Sequence, residues 1–300
     1  MSEAKQAPVA PSAPVPVDLR KLPIVQRLWG TEPPPILYHY TSRAGLQGII
    51  RERAVWASEA RYLNDARELT TAIDEVRELL TDRRGPRELY DRIHDILDQM
   101  KEEQDTFVFS LSNDGGDELS QWRAYTRPGN GYAIGFDARA MWRQYLERGF
   151  TSHFAACEYE LAQQHALMTE VIEHAERVIS QHGTDQIDHA IRIFGSLFLL
   201  TAPMIKDRAF RAEQEWRLVL PSFSMWDTKV RFRDGGKLLV PYWTVPLAFD
   251  NAAPLPIKEV VIGPTPHPDL EARAVSALLT VDAGRHDAKV RRSEVPYRDW

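Results

Sequence analysis

Two glutamates and an arginine, spaced two apart in Ala212-Glu213-Gln214-Glu215-Trp216-Arg217-Leu218-Val219-Leu220, are the residues best suited to chemistry. Read as a strand, the stretch sends Glu213, Glu215 and Arg217 to one face and Gln214, Trp216, Leu218 and Leu220 to the other. Like charges so spaced repel unless something uses them. A solvated edge strand accounts for the pattern. So does a catalytic carboxylate with a supporting neighbour. If Arg217 simply pairs with Glu215, the pair is structural and the catalytic reading loses force. Just upstream, Lys206, Arg208 and Arg211 form a basic run suited to holding an anion beside an acidic group.

A second constellation is Leu37-Tyr38-His39-Tyr40-Thr41-Ser42. In a strand, Tyr38 and Tyr40 share one face and His39 takes the other. Ser42 caps a following helix, whose free N–H groups and positive dipole end suit a phosphate. An imidazole beside it can hydrogen-bond a ribose or pyrophosphate; a buried histidine satisfied by backbone is the plainer account. Ser112 ends a strand before the loop Asn113-Asp114-Gly115-Gly116-Asp117, a common position for a ligand contact. Trp122 and Tyr125 read as core more readily than as a stacking platform. Asn64-Asp65, after Tyr62, is explained by a turn and helix cap alone.

The elements that must position these residues come in clusters. Strands are expected at 36–40, 55–57, 106–111, 131–136, 153–159, 215–220, 230–233, 238–243 and 259–262. Helices are expected after Ser42, after Asn64-Asp65 through Leu80, on Leu89, Ile93, Leu97 and Met100, at 118–125, at 161–181, at 185–200 and at 269–279. Gly235-Gly236 reads as a hairpin turn. The clustering favours an α+β domain over a doubly wound sheet. The Ala/Pro-rich start reads as a disordered tail over 1–32, followed by one domain over 33–285 and an extension over 286–300. The helices within about 161–203 read as an insertion, a cap over a cleft or a dimer surface.

The 300 residues, 43% hydrophobic, suffice for one sizeable core. A net charge of −6 argues against a nucleic-acid binder working by bulk charge. A single cysteine, Cys157, excludes an intramolecular disulfide and a cysteine-rich zinc site, which fits a cytoplasmic location. No stretch reaches the ~18 apolar residues of a membrane span, so no membrane partner is expected. No Walker loop, dinucleotide fingerprint or Gly-X-Ser-X-Gly elbow occurs, and Gly129-Asn130-Gly131 reads as a turn. A nuclease built on scattered Asp and Glu is a further reading, to be separated by its need for a divalent metal.

Taken in order, LYHYTS, GLQGII, LND, FVFSLS, QWRAY, GYAIGF, KDRAF, EQEWRLVL and EVVIGP resemble the bacterial domain-of-unknown-function (DUF) family 2971, over roughly residues 36 to 280. That family name carries no activity. A strand with His-Tyr-Thr followed by Leu-x-x-Ile-Ile, and a late Glu-x-Glu, is also similar to the ADP-ribosyltransferase-like superfamily. This similarity implies an α+β fold with a central, mostly antiparallel split sheet and helical insertions. It implies NAD as substrate, with ADP-ribose passed to a protein, DNA or RNA acceptor, in a toxin or phage-defence setting. By it, Glu215 grips the ribose, Glu213 addresses the acceptor, and His39 orients NAD with Tyr40, Thr41, Ser42 and Arg217 beside it. Tyr62, Ser58 and Ser112 are candidates for the middle position, and Trp56, Tyr62 or Trp122 for stacking on nicotinamide. A carboxylate aimed at the ribose would stabilise the positive charge that develops as the nicotinamide bond breaks. A non-catalytic nucleotide- or partner-binding module is the alternative from a different class. Oligomeric state is left open.

Overall fold

The computed structural model describes residues 19–63, 68–103, 105–126, 131–147, 153–220, 224–235, 237–250, 253–284 and 287–296. Ten strands are hydrogen-bonded together: β1 (Ile36–Ser42), β2 (Ala54–Glu59), β3 (Phe107–Ser112), β4 (Gly131–Asp137), β5 (His153–Ala156), β6 (Glu215–Leu220), β7 (Arg231–Asp234), β8 (Leu239–Pro246), β9 (Ile257–Ile262) and β10 (Lys289–Arg292). Their order is β10-β9-β4-β1-β3-β2-β8-β7, with β6 branching from β3 and β5 lying beyond β6. Only the β10–β9 pair is parallel among them. The chain is α+β as expected, and its largely antiparallel sheet is open.

The branch at β3 shapes everything else. One edge of β3 pairs with β6 along its whole length, Phe107↔Leu220 to Ser112↔Glu215. The other edge is shared: β2 takes Phe107 and Val108, while β1 touches only Ser112, through Tyr38. Between these two contacts β1 and β2 part and leave a notch in the sheet. There Phe109, Ser110 and Leu111 have no strand partner on this edge among the described residues.

Helices cover both faces. On one face, Leu37, Phe107, Phe109, Leu111, Trp216, Leu218 and Leu220 pack with α2 (Arg43–Glu52), α6 (Ala138–Glu147) and α9 (Pro268–Val281). On the other, Val108, Ala155 and Val219 pack under α1 (Pro23–Trp29), α3 (Glu68–Thr81), α4 (Arg87–Glu103), α7 (Leu161–His182) and α8 (Ile187–Thr201). Tyr38 and Tyr40 lie on this second face, against Trp122 of α5 (Leu119–Tyr125). The apolar spacing explains these helices: Ile73, Val76 and Leu80 on α3, and Leu89, Ile93, Leu97 and Met100 on α4, each fall on one buried stripe. Ser42 caps α2 as expected, its hydroxyl accepting from Gly45 N at 3.2 Å.

Four expectations need correction. The strand expected over 215–220 forms at Glu215–Leu220, but the alternating face read back to Glu213 does not, because Arg208–Glu213 is a 3-10 turn closed by Gln214 in a left-handed conformation, φ 43°. The tail expected over 1–32 includes α1, whose Ile24, Val25 and Trp29 are buried in the core. The extension expected over 286–300 includes β10, which joins the sheet. The helices of 161–203 pack with α3 and α4 as one layer of the core, and so are integral to it. Asn64-Asp65, Gly129-Asn130 and Gly236 lie outside the described residues.

Candidate functional site

The register decides which candidate residues can meet. Directly paired residues share a face of a sheet. Tyr38 pairs with Ser112 and Ser112 with Glu215, so all three share the face that α5 and α7 cover. His39 follows Tyr38 and points to the opposite face, where its ring lies 4.6 Å from Phe109. The sheet does not bring His39 and Glu215 together.

Glu215 sits in a buried ion network. Arg217 Nε and Nη2 donate to its two carboxylate oxygens at 2.8 and 3.0 Å. Lys206 Nζ bonds Glu215 and also Glu213, the latter at 2.6 Å. Arg217 Nη1 donates to the Pro203 carbonyl at 2.6 Å. The Tyr159 hydroxyl accepts from Glu215 N at 2.9 Å. Two carboxylates and two cations balance, as a buried cluster requires. Burial alone would raise the Glu215 carboxyl, but Arg217 and Lys206 outweigh it and hold it at about 2. Burial opposes the Lys206 charge, and Glu215 more than restores it, so the ammonium lies above its ordinary range. Glu215 is 5% exposed. Its geometry is that of a structural carboxylate.

Glu213 is different. Its side chain keeps 17% exposure and also accepts from the Tyr125 hydroxyl at 2.9 Å. The left-handed Gln214 between the two glutamates turns the chain so that both carboxylates reach Lys206. Ser112 fastens this corner, its hydroxyl donating to the Glu213 carbonyl at 2.6 Å.

The notch between β1 and β2 holds the second cluster. The Thr106 carbonyl accepts from Ala60 N, and the Ser110 carbonyl, four residues on, points to the same side. There it meets no strand. His39 Nδ1–H donates to it at 3.0 Å, which fixes the neutral tautomer and leaves Nε2 as an acceptor. Burial pushes the imidazole down to about 4; the Ser110 carbonyl opposes this and the Arg233 charge adds to it. Arg233 Nη2 donates to Ser58 Oγ at 3.1 Å. Arg233 has no carboxylate partner among the described residues, and burial lowers its affinity for its proton. A half-buried guanidinium without a counter-ion favours an anion. Trp56 and Tyr242, on the same face as Ser58, stand with ring centres 4.8 Å apart.

The remaining expected residues serve the scaffold in this geometry. Tyr40 donates to Asp114 at 2.8 Å and accepts from Glu118 N at 3.0 Å, holding the acidic loop. Thr41 packs so closely on α2 that a Cβ on Gly45 would fall on its hydroxyl. Tyr62 closes the 3-10 turn after β2 and is half-buried. Sequence reasoning misses Arg233. A strand pattern cannot show that a cation lacks a partner; the alternation Arg231-Phe232-Arg233 is the one available signal.

Among the described residues no group of three or more His, Cys, Asp or Glu comes together to hold a metal ion, and no helix is long and apolar enough to cross a membrane. A search of curated proteins gave no match, and a search of solved structures gave none. The stretch from Gln121 to Leu218 holds Tyr125, Tyr159, Lys206, Glu213, Glu215 and Arg217, whereas His39, Ser58 and Arg233 lie outside it. It is this stretch, residues 121–218, that matches the model of a family described as Protein of unknown function (DUF2971).

Proposed function

We propose that the chain binds an anionic nucleotide in the notch between β1 and β2, with NAD as the first ligand to test. The observation that carries this reading is Arg233, half-buried and without a carboxylate partner among the described residues, its charge felt by a neutral His39 at the notch. A phosphate would supply the missing counter-charge. His39 Nε2 can accept from a ribose hydroxyl, and Trp56 offers a ring to a base. Glu215 in this reading holds the fold and does not touch ligand.

Transfer of ADP-ribose to a protein, DNA or RNA acceptor is the second reading. Its support is Glu213, the carboxylate of the pair that still reaches solvent. One experiment separates the two: calorimetry with ADP and NAD on the wild type, Arg233→Gln and Glu213→Gln, with nicotinamide release followed in parallel. Binding lost in Arg233→Gln without nicotinamide release supports the binding module. Release that depends on Glu213 supports transfer. Binding that is unchanged in Arg233→Gln sinks the notch as the site.

A further inference from the structure

β7 ends the sheet on one side, and no strand lies on its outer edge among the described residues. Its register with β8 fixes what that edge offers. Gly235 N bonds the Leu238 carbonyl at 2.9 Å, and bonded pairs alternate along an antiparallel ladder. Arg233↔Val240 and Arg231↔Tyr242 are therefore the bonded pairs, and Phe232, between them, turns its N–H and C=O away from β8. The side chains sort by face. Phe232 and Leu239 share one face and are 54% and 62% exposed. Arg231, also exposed, stands on the other face, where Arg233 leans inward to Ser58. Trp226 and Leu238 are exposed too, so this hairpin and the turn before it carry half of the exposed large apolar side chains among the described residues. Apolar exposure gathered on an open strand edge marks a surface for another chain.

We propose that the outer edge of β7 takes an extended acidic segment of another protein as an added strand. Charge makes the selection. Lys229, Arg231, Arg233 and Lys237 outnumber Asp227 and Asp234 here, in a chain whose net charge is −6. Register works against a second copy. Two copies joined antiparallel through the outward groups of Phe232 pair odd-numbered residues with odd-numbered ones. Both registers that overlap three residues of each strand set Arg231 against Arg233, or Arg233 against itself. Like charges directly opposite are destabilising. An acidic residue opposite Arg231 reverses that repulsion, and an apolar residue opposite Phe232 covers the exposed face. The basic side chains that keep copies apart thus admit a strand that alternates acidic with apolar residues. This edge lies outside the notch, so the proposal does not depend on the nucleotide reading.

The test uses the full chain and two synthetic probes, a peptide alternating Glu with Val and its counterpart alternating Lys with Val. Fluorescence anisotropy should show binding of the Glu–Val peptide alone. Arg231→Glu, a change at an exposed position, should weaken that peptide by about tenfold or more and create binding of the Lys–Val peptide. Phe232→Ala removes the ring and keeps the N–H. Phe232→Pro removes both and spares the bonds to β8, so it should lose more affinity than Phe232→Ala. Should Phe232→Pro fail to fold by circular dichroism, the charge reversal at Arg231 still decides. Equal binding of the two peptides, or no binding of the Glu–Val peptide, overturns the proposal. A dimer in sedimentation that Phe232→Ala abolishes overturns it in favour of a second copy. Flotation with phosphatidylcholine–phosphatidylserine vesicles that is lost in Arg231→Glu overturns it in favour of a membrane surface.

Discussion

Arg217 grips both carboxylate oxygens of Glu215 from two residues along the same strand, at 2.8 and 3.0 Å. The pair is closed by Lys206 and lies under the helical layer. Removing one partner leaves the others charged and buried. Glu215→Ala should therefore cost about 3–5 kcal/mol in urea unfolding. A Glu215→Ala protein as stable as the wild type would show that the network contributes nothing to the fold.

The same pair sets an acid limit. The folded Glu215 carboxyl is held at about 2, below its ordinary 4.5. The unfolded chain takes up the proton first, so this contribution is present above pH 4.5 and is lost as pH falls toward 2. Urea midpoints measured down this range should fall more steeply in the wild type than in Glu215→Gln.

His39 titrates in its own window. Its folded value is depressed from 6.5 to about 4, so the unfolded chain binds the proton first as pH drops. Stability from the neutral imidazole is full above 6.5 and declines toward 4. NMR of the ring protons should show no titration between pH 7 and 5. A midpoint near 6.5 would mean that the ring is not enclosed in the notch.

Arg233 should trade stability for binding. A half-buried cation without a counter-ion is a cost in the empty protein. Arg233→Leu is expected to raise stability by about 1 kcal/mol in thermal unfolding while abolishing ADP binding. A destabilised Arg233→Leu protein would argue that the guanidinium is structural.

Gln214 occupies a left-handed conformation that costs an ordinary L-residue about 1–2 kcal/mol. Gln214→Gly should be neutral or stabilising, and Gln214→Val destabilising, by about 1 kcal/mol each. Chemical denaturation of the two variants measures the difference.

Much of the scaffold is legible in the chain. The apolar stripes of α3 and α4, the Ser42 cap and the β-rich runs FVFSL and GYAIGF are local signals, and each forms near its expected place. The site is less legible because it depends on pairing across distance. The alternation in Glu213, Glu215 and Arg217 reads as one strand face, but Gln214 interrupts it. Periodicity cannot reveal a left-handed residue that is not glycine. Nor can it reveal that Tyr38, rather than His39, shares a face with Glu215; the single Tyr38↔Ser112 contact decides that.

The branching of the sheet at β3 also governs how the chain can be made. Ser112 and Glu213 are 101 positions apart, and β6 follows at once. During synthesis β3 leaves the ribosome with one whole edge unmatched, and remains so until β6 has been added. At about 5–20 residues per second, that interval lasts roughly 5–20 s. For that time the nascent chain presents an apolar strand edge, FVFSLS, to whatever surrounds it.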